Sequence, residues 1–233
     1  MKKNTVAIIL ARGGSKGIPK KNLKKICGKP LVSWTIEHAI NAKGISSVWL
    51  SSDSEQILKI GKKYGINLIK RPKNLSKDSS SSVSGWIHAI NFIEKEETID
   101  MVVALQPTSP LRVSKDIENG LKEFEKNKFD SMFSGGEIGD FFIWKKQKGL
   151  LKSVNYDYKN RSRRQDISTQ YVENGSFYIF TPKIIKKFNN QLGGKIGVSL
   201  MEFWKSFEID DKNDIEFCET LMKHYLLKYG DTR

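Results

Sequence analysis

Acidic residues are missing from the start of this chain. No Asp or Glu occurs before Glu37, while the same stretch holds nine Lys or Arg. Cysteine is almost absent too. Cys27 and Cys218 are the only two, far apart in the sequence. That excludes a disulfide framework and fits reduced thiols in a cytoplasmic protein. No stretch approaches the roughly 20 apolar residues needed to span a bilayer, so no membrane partner is expected. Lys2 and Lys3 precede a short apolar run that leads straight into a charged loop, which does not read as a signal peptide. Histidine is scarce. His38 and His88 fall on helical patterns and His224 in the last helix, so none suits a catalytic base.

What is present is positive charge on a chain of one-domain length. The 233 residues carry a net charge of +14. The cations gather at 12–29 and again at 145–164, where eight Lys or Arg meet only Asp157 and the neighbouring Asp166. Such charge suits nucleic acid, a membrane surface or a small polyanion. No zinc finger, helix-turn-helix or aromatic-basic RNA motif occurs, so nucleic acid is not the expected partner.

Apolar patterning alternates strand and helix. Strands are predicted at 6–10, 48–51, 66–69, 101–105 and 131–133. Helices are predicted at 31–42, 54–64, 82–96 and 114–126, the second capped by Ser52 or Asp53. This order argues an α/β fold, a mainly parallel sheet with helices on both faces. Ligands of such sheets bind beyond the carboxyl ends of the strands. Residues 138–176 break the pattern. Phe141, Phe142, Ile143 and Trp144 suggest a strand there, and a return strand follows at 176–180. The chain ends in a strand at 206–209 and a helix over 214–228.

Five segments carry chemistry. The run Val6 to Asn22 ends an apolar strand in a loop with Gly13, Gly14 and Gly17 among Arg12, Ser15, Lys16, Lys20 and Lys21. Its glycines let amide groups approach phosphate oxygens. It is neither a Walker A loop nor the dinucleotide Gly-x-Gly-x-x-Gly, and composition alone leaves an ordinary turn open. Arg71 to Asp78, then Ser79 to Gly85, place polar donors before a helix N-terminus, either as caps or as ligand donors. In Gln106 to Arg112, two prolines bracket Thr108 and Ser109. Arg161 to Asp166, with Asn174 and Gly175, is dense in donors for a carboxylate. Glu208-Ile-Asp210 puts two carboxylates on one face of the expected strand, fit to share a divalent cation or simply exposed at an edge.

Together these segments resemble the CMP–sialic acid synthetases (acylneuraminate cytidylyltransferases). The family's opening Ala-Arg-x-x-Ser-Lys-Gly-x-x-x-Lys-Asn is matched from Ala11 to Asn22. Its Arg-Pro-x-x-Leu-x-x-Asp is matched from Arg71 to Asp78. Gln-Pro-Thr-Ser-Pro-Leu-Arg is matched at every position from Gln106 to Arg112. Arg-Gln corresponds to Arg164-Gln165, and Asn-Gly-x-x-Tyr to Asn174 to Tyr178. Two departures stand out. Glu208 replaces the first Asp of the family's Asp-Ile-Asp, and the Glu137 to Trp144 segment lacks a His-Pro pair found in several members.

The resemblance implies a single Rossmann-like nucleotidyltransferase domain over 1–233, with a dimerisation arm at 138–176. It implies a homodimer that joins CTP to a nine-carbon 2-keto sugar acid, releasing pyrophosphate, with Mg2+ as cofactor. Arg12, Lys21 and Asp210 would be catalytic. Ala11, Arg12, Gly13, Gly14, Ser15, Lys16, Lys21, Asn22, Arg71, Ser79 and Ser82 would bind the nucleotide. Gln106, Thr108, Ser109, Arg164, Gln165, Asn174 and Tyr178 would bind the sugar. Asp210 and Glu208 would hold the metal. A nonulosonic acid other than sialic acid, such as legionaminic or pseudaminic acid, stays open. So does a CMP-Kdo synthetase, although Lys16 stands where that family tends to carry Arg. A basic nucleic-acid-binding protein is the remaining alternative.

Overall fold

A computed structural model describes residues 3–139, 141–161, 163, 166 and 168–227. In chain order the strands are β1 (Thr5–Leu10), β2 (Lys25–Ile26), β3 (Lys29–Pro30), β4 (Ser47–Ser52), β5 (Asn67–Lys70), β6 (Met101–Leu105), β7 (Ser131–Glu137), β8 (Trp144–Gln147), β9 (Leu150–Ser153), β10 (Tyr171–Phe180) and β11 (Ile196–Leu200). The helices are α1 (Leu31–Asn41), α2 (Glu55–Lys63), α3 (Ser82–Ile93), α4 (Ser114–Asn127), α5 (Pro182–Phe188) and α6 (Lys212–Leu221).

Seven strands form one sheet in the order β11-β7-β10-β6-β1-β4-β5. All pairings are parallel except those of β10, which runs against both β6 and β7. Strand alternation divides the core in two. Ala7 and Ile9 of β1 face a cluster with Val32 and Ile36 of α1, Ile57 of α2, and Ile117 and Leu121 of α4. Val6 and Ile8 face the opposite cluster, with Trp86 and Ile90 of α3 and Ile184 of α5. The expected parallel sheet with helices on both faces is therefore what forms. A third cluster joins Ile18, Ile26, Leu31, Leu111, Ile209 and Cys218, and ties the first loop to α6.

The chain turns from β1 to β4 on one side and places β6 on the other, so β1 marks a topological switch point. The carboxyl ends of β1, β4, β5 and β6 open at one edge, and that is where the site lies.

Several expectations need correcting. Residues 206–209 are not a strand. Phe203–Ser206 is a 3-10 turn, and the following stretch pairs with no strand of the sheet. Its Ile209 N–H donates instead to the carbonyl of Thr108, at 2.8 Å, with Ile209 wholly buried. Neither Ser52 nor Asp53 caps α2, since Ser54 is its N-cap residue. Of the aromatic run at 141–144, only Trp144 enters a strand. The strand β8 pairs with β9 in a separate two-stranded hairpin whose turn places Lys148 and Gly149 at φ of 49° and 82°. Residues 171–176, grouped with the arm in the sequence, belong to β10 of the main sheet, where Tyr171 sits opposite Glu137. The last helix ends at Leu221 and continues as a π-type turn to Leu227. The strand β11 and helix α5 were not anticipated.

Candidate active site

The strand ends enclose a cleft of about 260 Å3. One wall is the loop after β1. Ala11 is buried and its N–H bonds to the Ser51 carbonyl, which fastens the loop root to β4. The Gly13 N–H donates to Asp53 Oδ1 at 2.8 Å. A Cβ on Gly17 would lie 2.3 Å from the carbonyl oxygen of Asp210, so only glycine allows the loop to pass there. Arg12, Gly14, Ser15, Lys21 and Asn22 line the cleft. Asn22 Nδ2 donates to the Arg12 carbonyl at 2.9 Å, and its Oδ1 is enclosed without a partner.

The opposite wall comes from the end of β5 and the start of α3. Arg71 is buried, with Nε bonded to Ser76 Oγ at 2.9 Å. Burial lowers its pKa, Asp53 opposes the shift, and Arg12 reinforces it. Ser80, Ser81 and Ser82 line the cleft, and Ser81 Oγ caps α3 by accepting from Ser84 N–H at 3.2 Å. Ser79 is exposed beside this wall and outside the lining. Asp78 is not a helix cap. It pairs with Arg12 at 2.7 Å and with Lys16 at 3.7 Å, joining the two walls at the mouth.

Gln106, Pro107 and Thr108 close the far end. Ser109 is buried behind them, its hydroxyl without a partner. Asn174 is buried as well, and its Oδ1 accepts from Ser134 Oγ at 2.6 Å and from Ser176 N–H at 3.1 Å. Tyr178 packs edge-on against Trp86, its hydroxyl bonded to Glu173. These two predicted sugar ligands thus spend their polar atoms inside the protein. Arg164 and Gln165 lie outside the described residues.

The 207–211 segment straps across the site. Lys21 Nζ donates to the Ile209 carbonyl and to Asp210 Oδ1, both at 2.8 Å. Glu208 accepts from Thr108 Oγ1 at 2.9 Å. Burial raises its pKa, the Thr108 bond opposes that, and Asp210 adds to it. Alternation survives without a strand. Ile209 points into the core while Asp210 is exposed and Glu208 half-buried.

No cluster of three or more His, Cys, Asp or Glu placed to hold a metal exists among the described residues. The pair Glu208 and Asp210 nevertheless suits Mg2+, which takes one or two carboxylates and completes its shell with substrate phosphates and water.

Sequence reasoning read Asp53 only as a possible cap of α2, and it left Asp78 as either a cap or a ligand donor. A signal for Asp53 was present. Parallel pairing sets Leu10 opposite Ser51, so the residues just beyond each strand meet.

A family model described as cytidylyltransferase matches residues 6–232. The chain belongs to the cytidylyltransferase family. Among curated cytidylyltransferases, an N-acylneuraminate cytidylyltransferase of Oncorhynchus mykiss is 34% identical over 232 residues, covering 98% of this chain and 52% of the relative. A pseudaminic acid cytidylyltransferase of Campylobacter jejuni is 34% identical over 227 residues, covering 94% of this chain and 96% of the relative. The chain thus spans about half the length of the fish relatives it matches. Among solved structures, CMP:2-keto-3-deoxy-manno-octonic acid synthetase complexed with CTP superposes with a TM-score of 0.72 at 16% identity, covering 95% of this chain and 99% of that one. A 4-diphosphocytidyl-2C-methyl-D-erythritol synthase from Anaerococcus prevotii gives 0.66 at 15%, covering 96% and 100%. The cytidylyltransferase fold is common to all of them. No helix among the described residues is long and apolar enough to cross a membrane.

Proposed function

We propose that this cytidylyltransferase joins CTP to a nine-carbon 2-keto sugar acid, sialic acid or a related nonulosonic acid, to give a CMP-sugar and pyrophosphate. The observation that carries this reading is one cleft with two chemistries. Arg12, Lys21 and Arg71 bring cations to it, and Gln106 and Thr108 bring neutral polar groups. Relatives named for N-acylneuraminate and for pseudaminic acid are each 34% identical to this chain, so both sugars belong to the candidate class.

The anomeric hydroxyl attacks the α-phosphorus, the bond to the bridging oxygen breaks, and pyrophosphate departs with that oxygen's electrons. Positioning and charge neutralisation supply most of the catalysis in such a transfer. Arg12, Lys16 and Lys21 neutralise the triphosphate, with amides of Gly14 and Ser15 facing it, Gly13 held in place by Asp53 and Ala11 anchoring the loop. Asn22, Arg71 and Ser82 recognise cytidine, while Ser79 stays outside the lining. Gln106 and Thr108 meet the sugar acid, joined by Arg164 and Gln165, while Ser109, Asn174 and Tyr178 support that wall from behind. Asp210 and Glu208 hold Mg2+, which when bound offsets charge on the phosphates. The reaction belongs in the cytoplasm, in keeping with two free cysteines.

The functional unit is a homodimer. Support comes from the 138–176 region, where Phe141, Ile143, Trp144, Leu150 and Leu151 are 59%, 46%, 41%, 76% and 69% exposed. Covering each large apolar side chain contributes roughly 1.5–3 kcal/mol, enough in sum to exceed association costs.

The test is pyrophosphate release with CTP, UTP, ATP and GTP, each with Mg2+ and a panel of nonulosonic acids and Kdo. CTP with a nonulosonic acid should be fastest. Equal rates with a purine triphosphate, or turnover with Kdo alone, would overturn the reading.

A further inference from the structure

The buried polar network behind the far wall contains a cation with no carboxylate against it among the described residues. Arg112 is 0% exposed. Its Nη1 donates to the Ser176 carbonyl at 2.7 Å and to Ser176 Oγ at 2.9 Å, and Nη2 donates to Thr35 Oγ1 at 2.9 Å. Nη1 also reaches the Gln106 carbonyl at 3.5 Å, while Nε is enclosed without a partner. Asp116, the acid that favours its charge, is already committed to Lys205 at 2.9 and 3.1 Å. Burying a guanidinium costs several kcal/mol unless its donors are satisfied. A side chain chosen for stability alone would be apolar at this position. Something besides stability accounts for the arginine.

Topology indicates what that is. The Ser176 carbonyl accepts from Arg112 and also from the Gln106 N–H, at 3.1 Å. Gln106 begins the loop after β6 and Arg112 ends it, so both ends of the loop close on one oxygen. That oxygen sits in the irregular part of β10, where the ladder to β7 breaks between Glu173 and Tyr178 and Gly175 has a φ of 64°. The loop holds the strap in turn, through Thr108 Oγ1 to Glu208 and the Thr108 carbonyl to Ile209 N–H. The arginine-dependent chain therefore runs from Ser176 through the loop to Glu208 and Asp210. It does not run to Arg71 or Ser82, which follow β5 and open α3 across the cleft.

We infer that Arg112 is a positioning residue for the sugar and metal half of the site, acting through the Ser176 carbonyl, and that it leaves the Arg71 and Ser82 wall unaffected, reaching the nucleotide only through Lys21 on the strap. The inference rests on the function proposed above. Lysine cannot replace it, because a point charge does not reproduce a fork reaching two elements.

The experiment compares Arg112→Lys and Ser176→Ala with wild type, at a temperature where all three are folded by near-UV circular dichroism. Calorimetry measures CTP binding in the absence of sugar, steady-state kinetics gives KM for each substrate, and hydrogen exchange reads the backbone. Arg112→Lys should raise the sugar-acid KM, or lower kcat, by about tenfold while CTP affinity stays within about twofold. Exchange should accelerate at the amides of Gln106 and Ile209 and not at Gly13 or Arg71. Ser176→Ala, which removes the hydroxyl acceptor and keeps the carbonyl, should show the same asymmetry at about threefold. Equal loss for CTP and sugar, unchanged kinetics, or exchange accelerated across the whole sheet would overturn the inference. Should Arg112→Lys not fold, Ser176→Ala decides by the same criteria. A wild-type enzyme that transfers to no sugar acid would refute the proposed function instead, and the exchange pattern would still decide the role of Arg112.

Discussion

The loop after β1 and the β8–β9 hairpin are both rich in cations, yet they dispose of them in opposite ways. In the loop, Arg12 is paired with Asp78 and Lys21 with Asp210. In the hairpin, Lys145 stands directly opposite Lys152, a like-charge pair that destabilises the hairpin alone. Its leucines follow the same logic. Leu150 is 76% exposed, whereas Ile8 in the sheet is 0% exposed. Those two cleft cations are thus paired within one chain. The hairpin directs both its charge and its apolar surface outward.

The contrast can be tested from its strongest element downwards. Asp210→Asn is expected to abolish Mg2+-dependent turnover, while Glu208→Gln, already engaged by Thr108, costs less. Normal Mg2+ dependence in Asp210→Asn would remove the strap from the reaction. Next come Arg12→Ala and Lys21→Ala, each expected to slow turnover by about 2.7–4 kcal/mol of barrier, on the order of 100–1000-fold. The midpoint of thermal melting should stay near wild type, because both side chains lie at the cleft. A rate loss below about tenfold would contradict their roles.

Ile8→Ala should cost about 2–5 kcal/mol of stability, measured by urea unfolding, at any protein concentration. His38 gives a pH-dependent counterpart. Its Nδ1 is enclosed without a partner, and burial pushes its pKa down to about 3. The unfolded chain binds a proton there below about pH 6.5 and the folded one does not. Stability is therefore full above that pH and falls as pH drops towards 3, by up to about 1.4 kcal/mol per unit. His38→Gln should flatten the slope, and an unchanged slope would exclude His38 as its source. The smallest effect belongs to the hairpin. Leu150→Ser should alter the unfolding free energy of the isolated subunit by less than about 0.5 kcal/mol. The same change should shift the sedimenting mass towards monomer. A dimer of undiminished affinity would show that the leucine lies outside the interface.

Much of this was legible from local pattern. Val6 to Leu10 and Met101 to Leu105 are continuous apolar runs because parallel strands are covered on both faces. The cleft residues Arg12, Arg71, Gln106 and Thr108 were legible because each follows a strand at its carboxyl end. Other features depended on partners distant in sequence. Ile209 looked like part of a strand, but its N–H was taken by Thr108, about a hundred positions away. Asp78 looked like a cap because a run of serines follows it. Only the folded chain brings Arg12 to it, while Ser81 takes the capping role. Asn174 and Tyr178 carried ligand-like groups, and their burial against Ser134 and Trp86 could not be read from spacing.

The contact between Arg12 and Asp78 has a consequence for how the cleft fills. The mouth already holds an anion of its own, Asp78, so under the proposed function a triphosphate would enter by ion exchange rather than by simple attraction. The carboxylate that leaves restores a negative charge at the rim, and the same carboxylate returns when pyrophosphate departs. Affinity for polyanions should therefore fall less steeply with added salt than the number of loop cations alone would dictate.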